Sequence, residues 1–514
     1  MNILFIFPNI DIPGYKPIGI SSLIAVAKKL DHKVRLFDTS FYNVKELSSN
    51  MVFLNSKQAG EEVLNFIPVD LSKYGIEKKD VDLKLVFSSV LSEFKPDLVA
   101  LSIFSQEYAL GMFLMKIVKE VDKNILTICG GIHCYADPEE VINNESVDLV
   151  CVGEGEKVLE NLLKSLEQKV DYTNIRGLWS KSDGKIIKNP PGDYVHLNEL
   201  PFLDFDEYDN RQFIRAFNGK VYRSVDICLT RGCFERCIYC LHNKIYETYN
   251  SCDIRKYDID RFIAELEYLK ERHEINFIRF QDSSFLNVDE TYLAEFSRKY
   301  KDKIGLPFVI DSTPQSVTYN KIKYLKDMNC QSISIGIETG NEQHRLKYLN
   351  KKATNKQIIN AFDIVHKFNI RTVGFVLLSF PFETRENIFE TIRLIREARV
   401  SAPNLGFVYP FKGTKLRELV INQGLFDKDT EINNSPQYSR DYPAIKNSNI
   451  SEEEYRGIYR TFLFYCKFPE KYYNDIRIAE SFDLKGNTMY KKLKDLYFEK
   501  NLFNNYLEES CILN

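Results

Sequence analysis

Three cysteines within eight residues, Cys233, Cys237 and Cys240 in the run ICLTRGCFERCIYC (Ile227–Cys240), are the strongest chemical signal in this chain. Three thiolates at x3 and x2 spacing suit an iron–sulfur cluster, although a [4Fe–4S] cube ordinarily takes four protein thiolates. Three ligands leave one iron open, as a catalytic metal site keeps a position vacant. An open iron can chelate a ligand that carries both an amine and a carboxylate. A structural zinc site would want a fourth Cys or His at short spacing. His242 lies two residues past Cys240, where it closes a tetrahedron poorly, and Cys228 falls on an expected strand. The remaining cysteines of the eleven are scattered, which reads as reduced, buried thiols in a reducing compartment rather than a disulfide framework.

The elements that position this loop can be read from hydrophobic periodicity. Short apolar runs at Ser224–Leu229, Asn276–Phe280, Leu306–Ile310, Gln331–Gly336, Thr372–Leu378 and Leu405–Tyr409 alternate with helical patterns, which predicts six βα units. That rhythm gives a partial (β/α)6 barrel over 223–424, with its chemistry at the C-terminal ends of the strands. Five earlier runs, from Asn2–Phe7 to Asp148–Val152, predict a doubly wound, Rossmann-like parallel sheet over 1–170, ordered 2-1-3-4-5. Between the two lies 171–222, a hairpin at Arg176–Lys188 followed by a proline-bearing acidic linker. The segment 41–79 is an insertion without a readable pattern, and 425–514 is mostly helical and rich in Tyr and Phe.

The cysteine triad, with Tyr239 before its last member, resembles the motif of radical S-adenosylmethionine (SAM) enzymes, and the resemblance extends over nearly all of 222–420. Phe280-Gln281-Asp282 ends the second barrel strand, where the resemblance places the SAM amino group near Asp282. Gly336-Ile337-Glu338-Thr339-Gly340 looks like the family's GxExG element, with Glu338 facing the cofactor or the substrate edge. The turn at Phe380–Thr384 resembles a G-x-P-G-E-T turn in which Ser379 and Phe382 replace glycines, and Tyr409–Thr414 resembles the sixth-strand P-x-x-G-T. The resemblance therefore implies a [4Fe–4S] cluster on Cys233, Cys237 and Cys240 and SAM contacts from Tyr239, Asp282, Glu338, Ser379 and Tyr409. It also implies an electron donor such as flavodoxin or ferredoxin.

The first domain resembles the cobalamin-binding domain that precedes such a barrel in a large family. Pro17-Ile18-Gly19-Ile20, Ser102, Gly130-Gly131-Ile132-His133 and Gly153-Glu154-Gly155-Glu156 all fall at strand C-termini, where a doubly wound sheet presents its ligand crevice. The resemblance implies cobalamin contacts from Gly19, Ser102, Gly130, Gly131, His133, Gly153, Glu154 and Gly155. No Asp-x-His-x-x-Gly pattern is present, so cobalamin is expected without a protein imidazole on cobalt (His-off), and His133 is expected to serve as a hydrogen-bonding residue.

Composition bounds the rest. With 69 Lys+Arg against 72 Asp+Glu the net charge is −3, so no bulk field favours nucleic acid or anionic lipid. No run approaches the roughly 18 apolar residues of a membrane span, and MNILFIFPNI reads as a first strand rather than a signal peptide. The expectation is a cytoplasmic, cobalamin-dependent radical SAM enzyme that methylates an unactivated carbon of a small molecule, lipid or peptide. The competing expectations are a cyclase, ring-rearranging or oxidative enzyme with the same cofactors, and a non-catalytic cobalamin or iron–sulfur sensor. Asp311, Gln315 and His242 are expected near the substrate.

Overall fold

The computed structural model describes residues 1–10, 14–44, 69–182, 184–251, 253–427, 442–500 and 502. Most of the 41–79 insertion, part of the C-terminal tail, Cys252 and Cys511 lie outside the described residues.

Strands β1 (Asn2–Phe7), β2 (Lys33–Asp38), β3 (Leu98–Ser102), β4 (Leu126–Gly130) and β5 (Leu149–Cys151) form a parallel sheet in the expected order 2-1-3-4-5. Alternation along β1 builds two cores. Ile3, Phe5 and Phe7 pack with helices Ile18–Lys29 and Gly155–Gln168, whereas Leu4 and Ile6 pack with Leu83–Phe94 and Tyr108–Val121. The hairpin departs from expectation. Its strands β6 (Leu178–Ser182) and β7 (Lys185–Lys188) add antiparallel to β5, so the first sheet continues past residue 170 to seven strands. The acidic connector is likewise docked: Leu197, Leu203, Phe205 and Tyr208 are buried in the shared core.

The second sheet is an arc of β8 (Ile214–Phe217), β9 (Lys220–Ile227), β12 (Phe277–Phe280), β13 (Phe308–Ser312), β14 (Cys330–Glu338), β15 (Arg371–Leu378) and β16 (Ala402–Phe407). A small ribbon, β10 (Thr230–Arg231) with β11 (Arg255–Lys256), leads into and away from the cysteine loop. Six strands are parallel in chain order; β8 pairs antiparallel at one edge and β16 ends the other, so the barrel is open. Ile227, Phe280, Ile310, Ile333, Ile335 and Val376 pack outward against the helices. Those helices start where a capping side chain accepts a backbone N–H three residues on: Asp258, Asp289, Thr318, Thr354, Thr384 and Thr414. In the C-terminal region, helix Glu452–Lys467 is tied to helix Arg385–Glu397 by Arg396, which donates to the carbonyls of Tyr465 and Phe468. No described helix is long and apolar enough to cross a membrane.

Candidate active site

The three thiols sit on the loop between β10 and helix His242–Tyr249. Cys237 is buried and Cys233 and Cys240 are half-buried. Burial pushes Cys233 up to about 11 and Cys237 up to about 12, and also raises Cys240. Among the described residues no three Cys, His, Asp or Glu side chains are grouped as ligands of a single metal ion. A three-thiolate loop with no fourth ligand fits a cluster that keeps one iron open.

Two carboxylates flank this loop in different ways. Asp282, 2% exposed, uses both oxygens on the strand–loop junction: Leu229 N–H donates at 3.1 Å, and Thr230 donates from its N–H and its hydroxyl at 2.6 Å each. Burial raises its carboxyl to about 6. It was expected to meet an ammonium; here it holds the loop that carries the thiols. Glu338 ends β14 after a register shift, with φ at +63°, a strained value for a non-glycine residue. Its Oε1 accepts from Lys351 Nζ at 2.7 Å and from the Tyr239 hydroxyl at 3.3 Å. Gly336 makes room for this pair, since a Cβ there would stand 2.6 Å from both Glu338 Oε1 and Lys351 Nζ. Burial opposes charge on Lys351, but Glu338 and the Cys237 thiol outweigh it and hold the amine above its usual range.

Ser379 and Phe382, which stand where the resemblance has glycines, adopt φ of +69° and +58°. The Ser379 N–H donates to Glu383 Oε2 at 2.7 Å. Tyr409 is buried against Phe411 and Phe426. His242 Nε2 is 2.6 Å from the Ser283 hydroxyl, Asp311 is half-buried on the concave face, and Gln315 is exposed.

At the C-terminal ends of β1, β3, β4 and β5 lies an apolar cavity of about 330 Å³. Gly19, Ser102, Gly130, Gly131, Gly153, Glu154 and Gly155 all line it, as the resemblance implied. His133 does not. Its ring is buried below the loop, with Nδ1 2.9 Å from Ser105 Oγ and Nε2 3.0 Å from Glu140 Oε2, so both nitrogens are occupied. Gly153 has φ of +128°, and a Cβ on it would lie 2.5 Å from the Tyr249 hydroxyl, which also accepts from Glu154 N–H. The second domain supplies the far wall through Cys228 and Arg231. Cys228 was expected within a strand, but β9 ends at Ile227 and its side chain reaches the cavity instead.

Comparison with known proteins agrees with both halves. The Radical SAM superfamily profile matches residues 227–395, and the B12 binding domain profile matches residues 69–163. The chain thus carries a radical SAM domain and a B12-binding domain, the pairing found in cobalamin-dependent radical SAM enzymes. An uncharacterised methyltransferase of Pyrococcus horikoshii is 24% identical over 77% of this chain and 84% of its own length. Cytidylyl-2-hydroxyethylphosphonate methyltransferase of Streptomyces wedmorensis is 22% identical over 81% and 80%. The fold is shared with TsrM, a radical SAM methyltransferase of Kitasatospora setae, at 15% identity and a TM-score of 0.62 over 82% of this chain and 76% of that one.

A radical SAM enzyme of this kind uses a [4Fe–4S] cluster, SAM and cobalamin, and the donors found here fit all three. The thiol loop carries three cysteines of the right kind for the cluster, the Glu338–Lys351 pair stands beside it, and the glycine-edged cavity is an apolar crevice at the strand ends. Sequence reading missed Lys351, Arg231 and Glu156 as parts of these sites. Arg231 carried a signal, a cation two residues before the first cluster cysteine. Lys351 sits in an ordinary-looking LNKK run, and only the fold brings it to Glu338.

Proposed function

We propose that this chain is a C-methyltransferase acting on an unactivated carbon, with its cobalamin held without a protein imidazole. The observation that carries the reading is the junction of the two sites. Cys228 and Arg231, at the entry to the cluster loop, are also a wall of the cavity at the first sheet's strand ends. One substrate carbon can therefore lie within reach of both cofactors. When bound, the cluster and SAM supply a 5′-deoxyadenosyl radical and cobalamin supplies a methyl group. The chain's own part is to orient and to exclude water. Asp282 fixes the cluster loop, Glu338 and Lys351 present a buried charge pair beside it, and Arg231 joins that loop to the cavity. Occupation of both His133 nitrogens supports the imidazole-free binding mode. The methyltransferase names of the Pyrococcus and Streptomyces relatives support methyl transfer. A small electron-transfer protein such as flavodoxin or ferredoxin would reduce the cluster, and a cytoplasmic setting accords with the free thiols.

The test is incubation of reconstituted enzyme with reductant, methylcobalamin, candidate substrates and SAM bearing a deuterated methyl group. Formation of 5′-deoxyadenosine together with S-adenosylhomocysteine and a deuterium-labelled product is expected. Cys237→Ala should abolish deoxyadenosine, and Cys466→Ala should leave it. Deoxyadenosine without any S-adenosylhomocysteine would replace this reading with a cyclase or oxidative reaction, and no deoxyadenosine at all would leave a sensor. An electron paramagnetic resonance spectrum of the cob(II)alamin form split by an axial nitrogen would contradict the imidazole-free mode.

A further inference from the structure

The concave face of the second sheet carries a row of half-buried residues that the cofactor sites do not use. On β12, Ile278 and Phe280 pack outward, Phe280 against Phe262, Phe296 and Tyr300. Alternation then turns Arg279 to the concave side, where its partner in register on β9 is Asp226. Val309 is the neighbour of Arg279 in register on β13; two residues further along, Asp311, Ser334 and Val373 stand side by side on β13, β14 and β15, between residues that face the helices.

A guanidinium withdrawn from bulk water normally has a paired partner. The Arg279 side chain has no hydrogen bond or ion pair among the described residues, although it lies in the field of Asp226, Asp311 and Tyr15. Of the two adjacent carboxylates, Asp226 is already engaged. Asp226 takes Arg215 at 3.1 Å and Gln281 at 2.9 Å, with the Lys16 N–H at 3.4 Å. Lys16 Nζ donates to the Gln212 carbonyl and Arg215 pairs with Asp226, which leaves Arg279 as the cation of this group without an ion pair among the described residues. Across the row, Val373 and Phe375 on β15 are apolar and half-buried.

We propose that Arg279 binds an anionic oxygen group, a carboxylate or phosphate, of a substrate whose apolar body lies toward Phe375. The inference rests on the reading that a substrate sits between the two cofactor sites, and it adds the chemical class. Arginine suits the role because its planar fork matches either oxyanion with two parallel hydrogen bonds.

Equilibrium dialysis of the holoenzyme at saturating SAM tests this, with phenylphosphonate and benzoate as probes and benzyl alcohol as the uncharged comparator. The wild type should retain at least one anion well above benzyl alcohol, and the stronger of the two identifies the phosphate or the carboxylate arm. Arg279→Gln should weaken that anion about ten- to a hundredfold, Arg279→Lys should weaken it less, and neither should move benzyl alcohol. Asp311→Asn, which removes a neighbouring negative charge, should tighten it severalfold and decides the matter should Arg279→Gln fail to fold. Anions retained no better than benzyl alcohol, equal binding by Arg279→Gln, or unchanged binding by Asp311→Asn would overturn the proposal. Substrate-free deoxyadenosine formation in the same preparations reads the radical assignment separately. Its absence alongside Arg279-dependent anion binding would sink that assignment and leave this one standing.

Discussion

Asp282 and Glu338 look alike in the sequence, each a carboxylate at the C-terminal end of a barrel strand, yet their surroundings give them different work. Asp282 spends both oxygens on three donors of the segment that precedes the cysteines. Asn in its place would turn an amide group toward one of those donors, leaving a buried N–H or hydroxyl unsatisfied at a cost of about 1–3 kcal/mol. Asp282→Asn is expected to lower both the melting temperature and the iron retained per chain. Glu338 instead pairs with Lys351 and accepts from the Tyr239 hydroxyl beside the thiols, and it bonds no backbone group of the loop. Glu338→Gln is expected to keep its iron and to weaken SAM about ten- to a hundredfold, the scale of one lost charge-assisted bond. Iron assay and SAM dialysis on the two proteins check this; full iron and an unchanged melting temperature in Asp282→Asn would show that the loop does not depend on it.

At the scale of elements, the turn after β15 is fastened to the C-terminal region by a buried carboxyl. Glu383, 1% exposed, accepts from the Ser379 N–H at 2.7 Å and from the Tyr455 hydroxyl of helix Glu452–Lys467 at 3.0 Å. Burial raises its carboxyl to about 8. The folded protein thus holds this proton to a higher pH than the unfolded chain, whose Glu titrates near 4.3. The resulting stability is fully present below the unfolded value and is lost as pH rises through about 8. Glu383→Gln, always neutral, is expected to flatten the fall in melting temperature between about pH 4.3 and 8. Identical pH profiles for the two proteins would contradict the assignment.

The elements themselves were largely legible, because capping residues such as Thr354 and Thr384 and alternation such as that of β1 are local signals. The strand order followed from connection rules. What was not legible depended on which surfaces meet. The Arg176–Lys188 hairpin reads the same whether it stands alone or extends a sheet. Asp282 reads the same whether it faces a ligand or a backbone. The positions of the thiols and of the glycines Gly130, Gly131 and Gly153 were fixed by spacing, whereas the Glu338–Lys351 pair required the fold.

At the scale of the molecule, the loop after β5 is one of the places where the two halves are joined, beside contacts such as Lys16 with Gln212 and Lys412 with Glu140. Glu154 pairs with Arg255 at 2.5 Å, stands 3.6 Å from Arg231 and accepts from Val195 N–H in the connector. Glu156, 5% exposed, takes Arg231 at 2.7 Å and the Ser22 hydroxyl at 2.9 Å. Arg231 and both glutamates also line the cavity, so under the proposed function domain docking and cobalamin retention would share the same side chains. Burial works against charge on Glu156, but Arg231 overcomes it and holds the carboxyl below its usual range. Removing the guanidinium strands that carboxylate in the interior, which costs on the order of 3 kcal/mol where one partner of a buried pair is deleted. Arg231→Ala is therefore expected to lower the melting temperature, to separate one unfolding transition into two and to lose cobalamin on gel filtration. The decisive comparison is the double variant Arg231→Ala/Glu156→Gln. If the cost arises from a stranded charge, neutralising Glu156 should recover much of the stability, a coupling that two independent losses would not show. Strictly additive losses in calorimetry would mean that Arg231 acts by packing alone, and undiminished cobalamin in Arg231→Ala would separate domain docking from cofactor binding.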